Sequence, residues 1–223
     1  MERAADLSPQ SDPVRPWRRR HRNSVGPVQV ILVRHGQAHR VESDEGVADP
    51  PLTDSGHLQA ERLAAWLRRH ERIDVLVVSP LLRARQTAQP IADRLGLVAQ
   101  VVPELAEFDA GATSYIPVEE LKATRHPRLR AMLDGEWTEL GGAIDPERFR
   151  RSVVAAIDGL AARHPGETVL IVCHGAVINA YLGDVIGAPR VLWFEPRYTS
   201  LHRVLISRGG VRSVETLNEM AAS

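Results

Sequence analysis

Three short runs of nearly continuous apolar character constrain this chain most: Val28-Gln29-Val30-Ile31-Leu32-Val33, Ile73-Asp74-Val75-Leu76-Val77-Val78 and Thr168-Val169-Leu170-Ile171-Val172. Each has the length of one strand and is rich in β-branched residues, with little of the polar alternation that a strand facing water on one side would show. Such runs suit strands buried on both faces of a sheet, the situation of a parallel sheet covered by helices. Helical patterns fill the intervals. Over residues 56–69, Leu58, Leu63, Trp66 and Leu67 recur at helical spacing among Arg and Glu, with Thr53 or Asp54 available as the cap. A second helix is expected over residues 81–95, stopping at Gly96, and a further strand over 97–102. Residues 103–145 read as less regular, 146–164 as a helix opened by Pro146, and 176–186 as a helix after the last buried run. Two short strands, 201–207 and 211–217, are expected to close the chain around Gly209-Gly210. Strand and helix in alternation predict an α/β fold with a mostly parallel central sheet and helices on both faces.

The 223 residues suffice for one such domain, placed at 28–223. Residues 1–27 are rich in Arg, Pro and Ser and read as a disordered basic arm. Asn23-Ser24-Val25-Gly26-Pro27 follows its charges where a secretory signal would need an apolar stretch. Lys+Arg and Asp+Glu both total 28, so no net field favours nucleic acid or a membrane surface, and any anion site must be built locally. No apolar run approaches the roughly 20 residues that span a bilayer. The single cysteine, Cys173, cannot form an internal disulfide, and the expected setting is cytoplasmic. The sequence carries no marker of oligomeric state.

In open α/β sheets, ligands bind at the carboxyl ends of the strands. The first run ends in Arg34-His35-Gly36-Gln37 and the second in Ser79-Pro80, with Arg83 one turn later. The expected third strand is followed by Glu104, Glu107 and Asp109, and the last buried run leads through Cys173 into His174-Gly175. Two arginines, two histidines and several carboxylates are therefore delivered to one rim. A phosphomonoester brings about two negative charges to a largely dry site, which demands fixed cations. Arginine holds two phosphate oxygens in its planar fork and keeps its charge, the role given to Arg34 and Arg83. Gly36 and Gly175 allow close backbone approach, and the amides of the helix opening at Ala176 can point at the same oxygens; Gln37 completes the phosphate set. A neutral His35 can attack phosphorus in line, its other ring nitrogen held by a backbone carbonyl near Gly36. His174 would stabilise charge on the transferring group, and Glu107 is the candidate to protonate the leaving oxygen. Taken singly, each residue also has a structural reading: a satisfied strand-end histidine, a solvated helix arginine, a loop carboxylate. Their convergence on one rim favours the chemical one.

Leu32-Val33-Arg34-His35-Gly36-Gln37 resembles the signature of the histidine phosphatase superfamily, the phosphoglycerate-mutase-like proteins. The runs Pro51–Ala60, Ser79–Ala88 and Val172–Gly175 resemble that family's later motifs, in the family's order, and the likeness spans nearly all of 28–217. The resemblance implies His35 as the phosphorylated residue, with Arg34, Arg83 and His174 as the phosphate pocket. Leu105-Ala106-Glu107 is similar to the family's Leu-x-Glu element and so supports Glu107 as the acid. Two departures stand out: Phe108-Asp109-Ala110-Gly111 follows the glutamate where the family often has Gly and an aromatic-acidic pair, and Ala176 replaces a frequent Gly or Asn. The mutase branch carries an Arg-Arg-Ser-Tyr-Asp element, whereas Arg150-Arg151-Ser152 here runs into Val153-Val154. The reading is a metal-independent, cofactor-free phosphatase of the phosphatase branch; the alternatives are a mutase or a non-catalytic binding protein on the same fold. A cysteine phosphatase would need Arg six positions beyond Cys173, where Asn179 stands. The substrate is expected to be a small phosphorylated compound or a phosphoprotein, under a lid formed by residues 108–137. Tyr115, Trp137, Trp193 and Phe194 are placed either in an apolar cleft or in the core, and Arg197, Tyr198 and His202 near the substrate.

Overall fold

The apolar runs become neighbours in one sheet. A computed structural model describes residues 26–42, 46–134 and 145–221; most of the expected basic arm, and Trp137, lie outside them. The main sheet has the order β4-β3-β6-β1-β7-β8, formed by β1 (Val28–Arg34), β3 (Val75–Val78), β4 (Ala99–Val101), β6 (Thr168–Cys173), β7 (Leu201–Ile206) and β8 (Arg212–Glu219). Between β1 and β3 come β2 (Val41–Glu42) and α1 (Asp54–His70). β3 leads to α2 (Leu82–Leu95), and β4 to a short 3-10 turn (Pro103–Leu105). Then follow β5 (Ser114–Tyr115), α3 (Val118–Ala123), α4 (Pro127–Asp134) and α5 (Pro146–Arg163), while α6 (Gly175–Ile186) follows β6. β1 to β4 through β6 and β3 are parallel neighbours; β7 runs antiparallel to β1 and β8 to β7. β2 and β5 form a separate antiparallel pair.

The period of two along the buried strands sorts side chains to the two faces. Ile31, Val33, Leu76, Val78, Leu170 and Val172 pack with Leu63, Leu67, Ala84 and Ile91 of α1 and α2. Val30, Leu32, Val77, Val169, Ile171 and Cys173 pack on the other face with Ile157 and Leu160 of α5 and Val177 and Ile178 of α6. Leu32 and Leu170 are fully buried, and truncating either to Ala costs about 2–5 kcal/mol.

The helix signals act as expected. The Thr53 side chain accepts from Gly56 N at α1, Pro146 opens α5, and Gly96 ends α2 in the left-handed conformation; the structure adds Asp145 as the cap of α5 and Gly187 as the left-handed end of α6. Three boundaries differ from expectation. The strand expected at 97–102 shrinks to β4, an edge strand whose Val101 is half exposed and whose preceding Val98 is 87% exposed, so little burial holds it. The irregular region 103–145 contains α3 and α4, too short for a helical period to stand out in sequence. β8 continues to Glu219, where Glu219 and Glu71 clamp Arg203. Among the described residues, no helix is long and apolar enough to cross a membrane.

Candidate active site

β1 and β6 pair in register, with Arg34 opposite Cys173, and His35 N continues the ladder by donating to Cys173 O at 3.0 Å. This pairing sets the two strand-end histidines side by side, ring centroids 5.1 Å apart. His35 Nδ1 lies 2.7 Å from the carbonyl oxygen of Gly36. A carbonyl only accepts, so Nδ1 carries the hydrogen and Nε2 keeps its lone pair. Burial, then the charges of Arg83 and Arg34, hold the imidazole pKa well below its ordinary value. The ring is neutral and nucleophilic at neutral pH.

The loop after His35 is held by helices from elsewhere in the chain. Gly36 N donates to Thr87 Oγ1 of α2 at 2.9 Å, and Thr87 in turn donates to the Arg83 carbonyl. Gln37 N donates to Gln59 Oε1 of α1 at 2.8 Å, while Gln37 O accepts from Thr53 N. A Cβ on Gly36 would lie 2.7 Å from Gly56 O, and one on Gly56 only 2.0 Å from Gln37 O. The glycine at 36 thus serves the close approach of α1, and the amides of Gly36 and Gln37, expected at the phosphate, are donated within the protein.

Both arginines are almost wholly buried, at 5% exposure for Arg34 and 1% for Arg83. Arg34 Nη1 donates to Glu119 Oε1 and to Pro196 O, each at 2.7 Å, and its guanidinium lies 4.0 Å from the Tyr198 ring centroid. Arg83 is less satisfied. Its carboxylate partners, Asp49 and Asp109, stand 3.8 and 3.5 Å away, and Nε has no hydrogen-bond partner among the described residues. A buried guanidinium with an unmet donor is costly, and an anion would meet it.

His174 Nε2 lies 2.6 Å from Ser79 Oγ at the end of β3, and its Nδ1 is buried with no hydrogen bond among the described residues. Burial, then the charges of Arg83, His35 and Arg34, keep this imidazole neutral as well. Glu107 sits behind the 3-10 turn with Oε1 accepting from Phe108 N and Oε2 from Ala176 N, both at 3.0 Å. Burial, followed by the charge of Asp109, raises its pKa to about 7, against the pull of those two amides. The Ala176 amide is therefore donated to the candidate acid. Burial pushes the Cys173 thiol up, which leaves it an inert part of the core.

A cavity of about 540 Å³ opens over these groups, with Arg34, His35, Arg83, Glu107, Gly175 and Ala176 among the residues lining it. Tyr115, Trp193 and Phe194 lie on its wall, the cleft alternative of the sequence reading. Gly36, Gln37 and His174 do not border it; His174 is wholly buried. Arg197 is exposed and outside the wall. His202 is buried, bonded to Ser200 and pulled down to about 4 by burial. Sequence reasoning assigned no role to Ser79 Oγ, Thr87, Glu119 or Asn179; the polar residues of the Ser79–Ala88 run were the available signal for the first two. Among the described residues, no group of three or more His, Cys, Asp or Glu is arranged to hold a metal ion.

The model of the histidine phosphatase superfamily, branch 1, matches residues 30–219. A protein named "Probable phosphoglycerate mutase GpmB" from Yersinia enterocolitica is 33% identical over 167 residues, 73% of this chain and 76% of its own. A structure described as mycobacterial hydrolase 2 superposes with a TM-score of 0.70 at 20% identity, covering 89% of this chain and 94% of that one. A phosphoserine phosphatase of Entamoeba histolytica, in complex with 3-phosphoglyceric acid, gives 0.69 at 22% identity over 86% of this chain and 98% of its own. At those identities the two structural likenesses establish the mostly parallel α/β fold.

Proposed function

Because the chain belongs to branch 1 of the histidine phosphatase superfamily, whose members act on phosphate esters, we propose that it hydrolyses phosphomonoesters through a phosphohistidine on His35, without a metal ion. One observation carries this reading: a neutral His35 with Nδ1 pinned to Gly36 O stands beside two buried guanidiniums and a buried carboxyl whose pKa is about 7. Arg34 and Arg83 take the phosphoryl oxygens and supply the charge that a metal would otherwise provide. His35 Nε2 attacks phosphorus, the ester P–O bond breaks, and the departing oxygen takes the Glu107 proton. Water then attacks the phosphohistidine. Glu107, now a carboxylate, accepts the water's proton, the P–N bond breaks, and its electron pair returns to Nε2. Phosphate and the alcohol are released, and the enzyme regains its starting protonation. For His174 to stabilise the transferring oxygens it must present Nδ1–H, which requires Ser79 to donate its hydroxyl hydrogen to Nε2. Leu81 N, donating to Ser79 Oγ at 3.3 Å, orients that hydroxyl.

The mutase-named relative supports a second reading, transfer of the phosphoryl group back to a carboxylated sugar acid. It would need a carboxylate grip. Arg150 and Arg151 of α5 do not line the cavity; Arg150 donates to Ala188 O and pairs with Glu147. The test is hydrolysis of p-nitrophenyl phosphate with EDTA present, beside the His35→Ala protein and a 3-phosphoglycerate isomerisation assay. Chelator-resistant hydrolysis lost in the variant, without isomerisation, is the expected result; isomerisation would install the mutase reading.

A further inference from the structure

Much of the cavity wall beyond the arginines and His35 is apolar: Ile116 and Leu121 from the segment between β5 and α4, Leu129 and Met132 of α4, and Leu192 and Trp193, interspersed with a few polar and charged residues. The volume, about 540 Å³, is that of pockets that bury most of a drug-sized molecule. A three-carbon phosphorylated acid would leave much of it filled with water against apolar surface. Several charged residues on the wall are engaged with one another or with polar neighbours. Lys122 pairs with Glu195, and Arg128 donates to Ser114 Oγ at 3.2 Å and sits in the field of Asp109. Arg190 also reaches the wall.

One side of this wall is rigid. Asn179, 1% exposed, accepts from Trp193 N and Phe194 N through Oδ1 at 2.9 and 3.0 Å, and its Nδ2 donates to Gly175 O and Phe194 O. Trp193 Nε1 donates back to Asn179 O at 3.1 Å, and the indole lies so close to Gly183 that a Cβ there would stand 3.0 Å from Nε1. The aromatic surface is thereby tied to α6, the same helix whose first turn carries Ala176 and its bond to Glu107. An apolar group laid against Trp193 would be presented in a fixed relation to the phosphate groups, with little side-chain ordering left to oppose binding.

We propose that the substrate is a phosphomonoester of an apolar alcohol, with a medium-length alkyl or aryl group of drug-fragment size, rather than a phosphorylated sugar acid. This rests on the phosphohydrolase reading. The cavity recognises the ester's organic part through burial against Trp193, Leu129 and their neighbours, while Arg34 and Arg83 take the phosphate.

The test is a ladder of n-alkyl phosphates from ethyl to octyl, in which the leaving alkoxide stays chemically constant. Each fully buried methylene is worth on the order of a fourfold gain. With partial burial, kcat/KM is expected to rise about 30-fold or more along the ladder, and octyl phosphate to exceed 3-phosphoglycerate by a similar factor. Leu129→Asp should flatten the ladder, the octyl ester losing most of its advantage over the ethyl ester. In parallel, calorimetry of ethyl- and octylphosphonate on the His35→Ala protein reads the same cavity without turnover. A flat ladder, or 3-phosphoglycerate as the better substrate, overturns the proposal. If no ester is hydrolysed, the hydrolase reading falls by itself, and the phosphonates still decide: octylphosphonate binding at least about tenfold tighter supports the apolar site, and equal binding overturns it.

Discussion

Replacing Glu107 by Gln removes the only proton that the proposed mechanism gives to the leaving group, while keeping the side chain's shape. Its worth follows from its setting. The carboxyl is buried, faces the charge of Asp109 and titrates at about 7, so at neutral pH a large share is protonated and its proton is weakly enough held to be transferred. General acid catalysis of this kind contributes about 10²–10⁴-fold, so kcat/KM for an alkyl phosphate should fall by that factor in Glu107→Gln. A nitrophenolate departs without a proton, and p-nitrophenyl phosphate should lose only about tenfold or less by the same reasoning. In the parent enzyme the alkyl-ester rate should decline above about pH 7 as the acid form is lost, and that limb should vanish in the variant. Folding reports the same proton. With its pKa raised from 4.5 to about 7, the native carboxyl holds a proton that the unfolded chain has released. Its contribution to stability is therefore complete below 4.5 and is lost as pH rises through 7, by roughly 3 kcal/mol at most. Glu107→Gln should remove that slope from a chemical-denaturation series. It will also set an amide N–H against the Phe108 or Ala176 N–H, at a cost of about 1–3 kcal/mol independent of pH. Equal rate losses on the two esters, or a descending limb that survives in the variant, would refute the assignment of Glu107 as the acid.

The other predictions concern the groups around it. His35→Ala should abolish turnover and, in a reaction with labelled substrate quenched in alkaline detergent, where a P–N bond survives, any phosphohistidine; label retained on the variant would point to a different nucleophile. Ser79→Ala should lower kcat about tenfold or more with little change in KM, because His174 loses the donor that sets its tautomer; an unchanged kcat would remove Ser79 from the mechanism. Gly56→Ala forces a Cβ to within 2.0 Å of the Gln37 carbonyl, and thermal unfolding should show a loss of about 1–3 kcal/mol or more together with reduced activity. Since burial and the two arginines keep His35 neutral well below its ordinary pKa, activity on p-nitrophenyl phosphate should persist at pH values where a free histidine is charged; a rate falling steeply below pH 6.5 would count against this.

The strand cores, the capping Thr53, the opening Pro146, the stop at Gly96, and the delivery of Arg34, His35, Arg83, Glu107 and His174 to one rim were all legible in the chain. Period, cap and strand-end position are local properties, and the topology of a parallel sheet converts strand ends into a shared surface. The carbonyl on His35 Nδ1 was legible for the same reason, since it belongs to the next residue. What local pattern could not carry was the allocation of hydrogen bonds among distant groups. Gly36, Gln37 and Ala176 looked like phosphate-binding amides because a backbone N–H near a glycine or a helix start is by default open. Only the packed molecule decides that Thr87, Gln59 and Glu107 take them. Likewise, nothing near Arg34 in the chain announces Glu119, 85 residues away on a helix too short to read. Nor does anything near Asn179 announce the tryptophan it clamps 14 residues later. The sequence by itself determined the layers, the rim and the chemical types gathered there, because those follow from short-range periodicity and the rules of sheet packing. The tertiary structure alone decided which donors stay unmet, how far Glu107 is pushed toward 7 and how large and apolar the cavity is, because burial and long-range pairing exist only once the chain has closed on itself.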